Sequence, residues 1–483
     1  MREPHRRFIA GVLSLGLAAA CAACSPDDTP AADAKPAKKA SPSATPVHGT
    51  PGATGLKDSI YPSSGNGGYD ALHYDLALSV VPKSAKVLTA TSTMTAKATQ
   101  NLSRFSLDLS GLVVASVTVD GKQAAFARAG TELTVTPAQA LARDAEFKVV
   151  VTYSGSPKSL KRKGETEEGW LTTDDGALVM GEPLGAMTWY PVNDTVQDPA
   201  TYDIALTVPK GLTGVSVGTL AGRDTNGSTS TFRWHDEDPT IPYLVTVAVG
   251  KFTLTTARTK SGIPVVNAID PRQSAKGRAF VAKIPEVIAW EEKRFGPYPF
   301  HSAGAIVDHD PKLGVALETI GRPLYGQAMD PSVMVHEYAH MWFGDSVRLT
   351  DWSDIWLNEG FATYAEWLWS EDHGEASAQE WFDHLYAIKA SDKLWSYPPG
   401  KVVKGSQTFG VPVYYRGAMV LHQVRKAVGD KAFFRILKSW TAERKGTSAT
   451  TAEFIALCEK TSGKKLDKIF DNWLYKKGKP SYS

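Results

Sequence analysis

Cysteine is almost missing from this chain, with three in 483 residues. Two of them, Cys21 and Cys24, stand close together near the start, so Cys458 has no partner for an internal disulfide. Its place at the end of the apolar-periodic run from Phe454 points instead to buried packing. An excess of one charge sign is lacking too: 53 Lys and Arg against 51 Asp and Glu leave a net charge of +2. No basic cluster is interleaved with aromatic residues, and the Lys-rich stretches near Lys161 and Lys476 are short enough to be solvated loops, so nothing argues for a nucleic-acid partner. No early apolar run is long enough for a mature membrane span either. Phe8 to Ala20 is too short for that, and with Arg2, Arg6 and Arg7 ahead of it the segment reads as a secretory signal.

Small residues before Cys21 (Ala18, Ala19, Ala20) and before Cys24 (Ala22, Ala23) resemble a bacterial lipoprotein cleavage box. Residues 1–24 are therefore expected to be a signal peptide ending at Cys21 or Cys24. The product would be exported, either tethered to a membrane through a lipidated cysteine or secreted. Residues 25–55 are Pro, Ala, Ser, Thr and Lys with hardly a large apolar side chain, which predicts a disordered tether.

The chain as a whole is ordinary in composition, 42% hydrophobic and 22% charged, and long enough for more than one domain. Residues 56–255 are rich in Val, Thr, Leu and Ser. Their alternating runs Tyr74–Leu78, Val117–Asp120 and Phe147–Tyr153 are separated by turns such as Asp120-Gly121, which predicts an antiparallel all-β domain. Residues 256–483 change to helical periodicity over 279–295, 332–345, 358–370, 378–390, 413–428 and 433–440, with a small sheet around Ala303–Val307. The chain is thus expected to be multidomain, a β domain followed by a mainly α domain.

The chemistry lies in the second half. In Val-His-Glu-Tyr-Ala-His, His336 and His340 are one helical turn apart and can offer two imidazole nitrogens to one metal ion. Such a pattern also arises on solvated helix faces. Here, however, Asn358-Glu359-Gly360-Phe361 opens another helical segment 19 residues on (340 to 359), and Glu359 is the natural third ligand. Glu337 is adjacent to the ligands and is placed to act on water activated there. Glu366, seven residues after Glu359 and two turns along the same face, can accept a hydrogen bond from the outer nitrogen of a ligand histidine, and Asp354 is a weaker candidate for such a role.

His336 to Asp345, followed by Trp352 to Ala362, resembles the aminopeptidase N family of zinc metallopeptidases, whose catalytic domain is thermolysin-like. The resemblance runs from Gly65-Asn66-Gly67-Gly68-Tyr69-Asp70 to Trp473-Leu474. It implies one Zn2+ bound by His336, His340 and Glu359, with Glu337 as general base. Val315-Ala316-Leu317-Glu318-Thr319 stands where the family has Gly-Ala-Met-Glu-Asn, a strand that lies along the substrate, and it implies that Glu318 grips the substrate's free amine. Gly181-Glu182-Pro183-Leu184-Gly185-Ala186 resembles the family's second amine anchor and implies that role for Glu182. Tyr414-Tyr415-Arg416-Gly417 resembles the Tyr-x-Lys-Gly run, which makes Tyr414 the donor to the oxyanion.

The implied activity is removal of N-terminal residues from peptides with a free amino terminus. A zinc endopeptidase is the alternative, and a non-catalytic, zinc-stabilised surface lipoprotein a lesser one. Larger family members continue into a helical C-terminal domain over the cleft. The sequence ends soon after Leu474, so an open cleft is expected, with room for a partner protein to complete it.

Overall fold

Alternation of apolar and polar residues builds the first half. Tyr69–Val80 buries Tyr74, Leu76, Leu78 and Val80 on one face, and Leu88–Ala98 pairs with it antiparallel. These are the centre of an eight-stranded sheet. Glu146–Gly155, Val113–Val119 and Lys122–Gln123 extend it on one side, and Ala200–Pro209, Thr229–Thr240 and Thr219–Asn226 on the other. The pairing is antiparallel except between Tyr69–Val80 and Ala200–Pro209, which run parallel. A smaller sheet of Leu160–Lys161, Glu167–Thr172, Ala177–Met180, Val247–Gly250 and Thr213–Ser216 carries the loop that contains Glu182.

The molecule is described by a computed structural model over residues 48–310 and 316–482. The signal peptide, both candidate lipidation cysteines, most of the tether, Val315 and Ser483 lie outside the described residues. Where the tether is described, it is not loose. Thr50–Pro51 pairs parallel with Leu102–Asp108, and the Gly52 amide donates to the Arg104 carbonyl at 2.8 Å. Composition signals missing apolar side chains, but strand pairing needs only the backbone, and here it reaches back into the segment assigned to the tether.

The second half opens with another five-stranded sheet, in the order Thr253–Arg258, Pro264–Ile269, Ala303–Val307, Leu324–Tyr325 and Ala316–Leu317. The expected boundary at 255/256 therefore falls inside a strand, and the change of architecture comes at Phe252. Ala316–Leu317 is an edge strand, antiparallel to its neighbour, and Glu318 follows it directly. The helical stretch expected over 279–295 is two helices, Ser274–Val281 and Ile284–Phe295, because Pro285 has no amide hydrogen to continue the first. The motif helix is Pro331–Ala339, capped by the Asp330 side chain on the Ser332 amide. It ends well before Asp345, where Gly344 takes a φ of +132°.

Trp356–Asp372 is the central helix, with 14 of its 17 residues buried. A helix covered on nearly every side can cross its neighbours only where side chains are small. It meets Gly417–Val428 at Gly360 and Gly417, where a Cβ on Gly360 would come within 3.0 Å of the Gly417 backbone and one on Gly417 within 2.9 Å of the Gly360 Cα. The backbones therefore touch. Just before that contact, Pro412–Arg416 forms a single wide π turn that presents Tyr414, in place of the continuous helix expected from Val413.

The halves of the fold are joined by buried polar contacts. Arg322, fully buried, donates through Nε to the Val266 carbonyl at 2.9 Å, through Nη2 to Gly218 O at 2.8 Å and through Nη1 to Ser216 O, with its guanidinium over the Trp234 ring. The Ile320 amide donates to the Leu244 carbonyl at 3.1 Å, and the Trp352 amide to Asp58 at 2.8 Å. The described residues belong to one compact unit with a continuous apolar core, and Cys458 lies in that core as a free thiol.

Candidate functional site

Eight side chains singled out from the sequence line one cleft of about 520 Å³: Glu182, Glu318, His336, Glu337, His340, Glu359, Glu366 and Tyr414. They come from five places in the fold, namely a loop of the β half, the sheet edge, the helices Pro331–Ala339 and Trp356–Asp372, and the π turn.

The Nε2 atoms of His336 and His340 stand 3.2 and 3.5 Å from the same oxygen, Oε2 of Glu359. Nitrogen and oxygen donors about 2.0–2.1 Å from one ion at the tetrahedral angle lie about 3.3 Å apart, so this set fits a four-coordinate metal with one position left open. Both outer nitrogens are held. His336 Nδ1 lies 2.6 Å from Glu366 Oε1, and His340 Nδ1 lies 3.2 Å from the Phe343 carbonyl, which turns Nε2 of each ring toward Glu359. Burial acts to raise the Glu359 carboxyl. The facing His340 and the bonds from both imidazoles outweigh it and hold the group ionised, well below the usual carboxylate range.

Glu337 and Glu318 gather with His340 into a second close group, their ligand atoms within 4.8 Å of one another. Burial pushes the Glu337 carboxyl up to about 8, the adjacent imidazoles offsetting part of the effect. Across the cleft, Tyr414 stacks on His336 with ring centroids 6.0 Å apart and planes at 21°. Burial, reinforced by Glu359, raises its pKa well above 10, so the phenol stays a donor. Tyr415 is 41% exposed at the cleft wall.

Glu182 and Glu318 each keep one buried oxygen, Oε1, with no hydrogen-bond partner. Burial, followed by the charge of Glu318, drives the Glu182 carboxyl well above its ordinary range, and Glu318 is raised by burial with His340 opposing. Two desolvated carboxyls side by side make a place suited to a cation.

Several contacts that fix these groups were not anticipated from the sequence. The Leu184 amide, two residues after Glu182, donates to Glu168 Oε2 at 2.6 Å, and Glu168 is ion-paired with Arg162. Gly181 lets the same loop close on the turn Pro242–Leu244, since a Cβ there would stand 2.3 Å from the Tyr243 carbonyl oxygen. That turn also receives the Ile320 amide, so one element braces both Glu182 and Glu318. Arg416, fully buried behind Tyr414, donates to the carbonyls of Trp473, Lys476 and Gly478 at 2.8, 2.6 and 3.0 Å. Asp354, by contrast, does not reach the site. It accepts from the hydroxyl and amide of Thr451, at 2.6 and 3.2 Å, at the start of the helix Thr451–Ser462.

Residues 327–473 match the model of the peptidase family M1 domain. This stretch is similar to the family M1 peptidase domain. The matched M1 segment includes His336, Glu337, His340, Glu359, Glu366 and Tyr414, whereas Glu182 and Glu318 lie before it. Over 370 residues the chain is 26% identical to a glutamyl aminopeptidase of Rattus norvegicus, covering 70% of this chain and 38% of that protein. It is 25% identical over 331 residues to Aminopeptidase M1 of Arabidopsis thaliana, covering 64% and 37%. The chain thus spans well under half the length of these curated relatives. Two-domain M1 structures match it almost end to end. A glutamate-to-alanine mutant of a two-domain M1 zinc metallopeptidase bound to L-tryptophan is 28% identical with a TM-score of 0.80, over 88% of this chain and 99% of that one. A glutamate-to-alanine mutant of an M1 zinc metallopeptidase from Deinococcus radiodurans, bound to a Tyr-Ser-Ala substrate, gives the same identity and TM-score over 89% and 98%.

Within the M1 site, Glu366→Gln should weaken metal binding about 10- to 100-fold, because the replacement loses the charge that orients and polarises His336. Metal retained against a graded chelator series measures this; an unchanged midpoint would leave Glu366 without that role.

Proposed function

We propose that this chain is an aminopeptidase with one zinc ion, removing the first residue of peptides that have a free amino terminus. The observation that carries the reading is the pair of unpartnered buried oxygens on Glu182 and Glu318, set beside the three-donor group of His336, His340 and Glu359. A substrate ammonium brings the positive charge and the N–H donors that these oxygens lack.

His336, His340 and Glu359 would hold the zinc, which when bound would polarise the first carbonyl and activate water beside it. Glu337 takes the proton from the attacking water and returns it to the leaving amine. The Tyr414 hydroxyl donates to the oxygen of the first carbonyl as negative charge develops there. Glu182 and Glu318 fix the ammonium, so the bond presented to Glu337 is the first one. The edge strand Ala316–Leu317 offers backbone groups along which an extended peptide can pair. The Tyr-Ser-Ala peptide in the Deinococcus radiodurans structure supports a peptide as the ligand of this cleft.

Acetylating the substrate's amine separates this reading from an endopeptidase. It removes the charge and leaves two buried carboxyls unpaired, so kcat/KM for an N-acetylated aminoacyl substrate should fall at least about a hundredfold below that of the free form. Equal turnover of both would favour the endopeptidase.

A further inference from the structure

Taken alone, the Lys-rich stretch near Lys476 is a solvated loop, but the fold sets it beside a second one. Residues 389–404 carry Lys389, Lys393, Lys401 and Lys404 against Asp392, and residues 471–482 carry Lys476, Lys477 and Lys479 against Asp471. Gly400 joins the two stretches, since a Cβ there would stand 2.7 Å from side-chain atoms of Leu474 and Tyr475. Lys401 Nζ lies 5.9 Å from the centre of the Tyr475 ring. Lys479 ties them a second time, donating to the Ile388 carbonyl at 3.1 Å and lying over the rings of Tyr386 and Trp395.

Seven lysines against two carboxylates is a local excess in a chain that balances 53 Lys and Arg with 51 Asp and Glu. Nothing nearby neutralises it. Among the described residues the lysines held in ion pairs are Lys97, Lys283 and Lys465, and none of them belongs to this patch. Asp392 is engaged by the Leu394 amide at 2.9 Å. Six of the seven lysines are exposed, Lys479 being the exception, and the backbone under the second stretch is fixed by the buried Arg416 through the carbonyls of Trp473, Lys476 and Gly478.

The patch also holds apolar side chains out to solvent. Val402 is buried, whereas Val403, between Lys401 and Lys404, is 70% exposed, with its amide tied to Gln407 Oε1 at 3.1 Å. Tyr482, 43% exposed, packs on the same Tyr386 ring that Lys479 covers.

We infer that this patch docks on an anionic lipid bilayer, its lysines meeting the headgroup phosphates while Val403 and Tyr482 enter the interface. Anionic headgroups attract each nearby lysine by an amount that multiplies binding about fivefold. A soluble polyanion would serve the lysines as well, but it offers nothing to an exposed valine. The headgroup and acyl boundary does, and a tyrosine with an apolar ring and a polar tip settles at the same level. The inference rests neither on the proposed activity nor on a lipid at Cys21 or Cys24.

The test is cosedimentation with vesicles of phosphatidylcholine, either alone or mixed with phosphatidylglycerol. It uses the chain from residue 48 onward, which lacks the early apolar run and whose described residues form one compact unit. We expect binding to the mixed vesicles alone, lost as salt rises from about 0.1 M to about 1 M and the Debye length falls from about 10 Å to about 3 Å. Lys401→Gln with Lys404→Gln, or Lys476→Gln with Lys477→Gln, should weaken it about 30-fold. Val403→Ser should weaken it about fivefold. Lys122→Gln with Lys210→Gln, which removes the same charge from the β half, should leave it unchanged. No binding, or an equal loss in the β-half pair, would overturn the inference. So would heparin bound as tightly as the mixed vesicles with Val403→Ser without effect, which would give the patch to a soluble polyanion.

Discussion

Glu337→Gln should lower kcat on an unblocked aminoacyl substrate by about a thousandfold or more, while the protein keeps its metal and its melting temperature. Glutamine has the same shape, so the motif helix and the packing around it need not change. What is lost is the ability to carry a proton. Glu337 is buried within reach of His340 and Glu318, beside the histidine pair, where its carboxylate can take a proton from water and hand it on. His336, His340 and Glu359 are untouched, so metal content should be unchanged, and measuring it together with kcat separates lost chemistry from lost metal. A fall of less than about tenfold with metal retained would take Glu337 out of the proton-transfer role.

Arg322→Met should lower the free energy of unfolding by about 3–5 kcal/mol, read from the shift of a urea transition. Methionine keeps much of the apolar stem, so the experiment isolates the guanidinium. Its loss takes a buried donor from each of the carbonyls of Ser216, Gly218 and Val266. An unsatisfied buried acceptor costs about 1–3 kcal/mol, and three of them exceed what the released charge returns. A loss below about 1 kcal/mol would mean that water or neighbouring donors replace the guanidinium.

These two residues also mark what a sequence does and does not disclose. Glu337 is legible because helical ligands have a fixed spacing, and a general base must stand next to them. Glu366 is legible for the same reason, its seven-residue offset being two turns of one helix. Glu182 and Glu318 sit on a loop and a sheet edge, where no periodicity points at a partner, and only likeness to a family singled them out. The burial of Arg322 and Arg416 could not be found that way. An arginine in a sequence reads as a solvated charge, and these two are fully buried because backbone carbonyls distant in the chain converge on them. Boundaries blur for a related reason. Composition marks where apolar side chains begin, whereas Thr50–Pro51 is held through its backbone and Thr253–Arg258 belongs to the sheet that succeeds it.

The contact between Gly360 and Gly417 has no room for adjustment. Glu359 stands one residue before the first glycine and Tyr414 three before the second, so the gap between the carboxylate and the phenol is set by the thickness of two bare peptide chains. A single added methyl group would act as a shim at the crossing, and the distance from Glu359 to Tyr414 would widen by that amount.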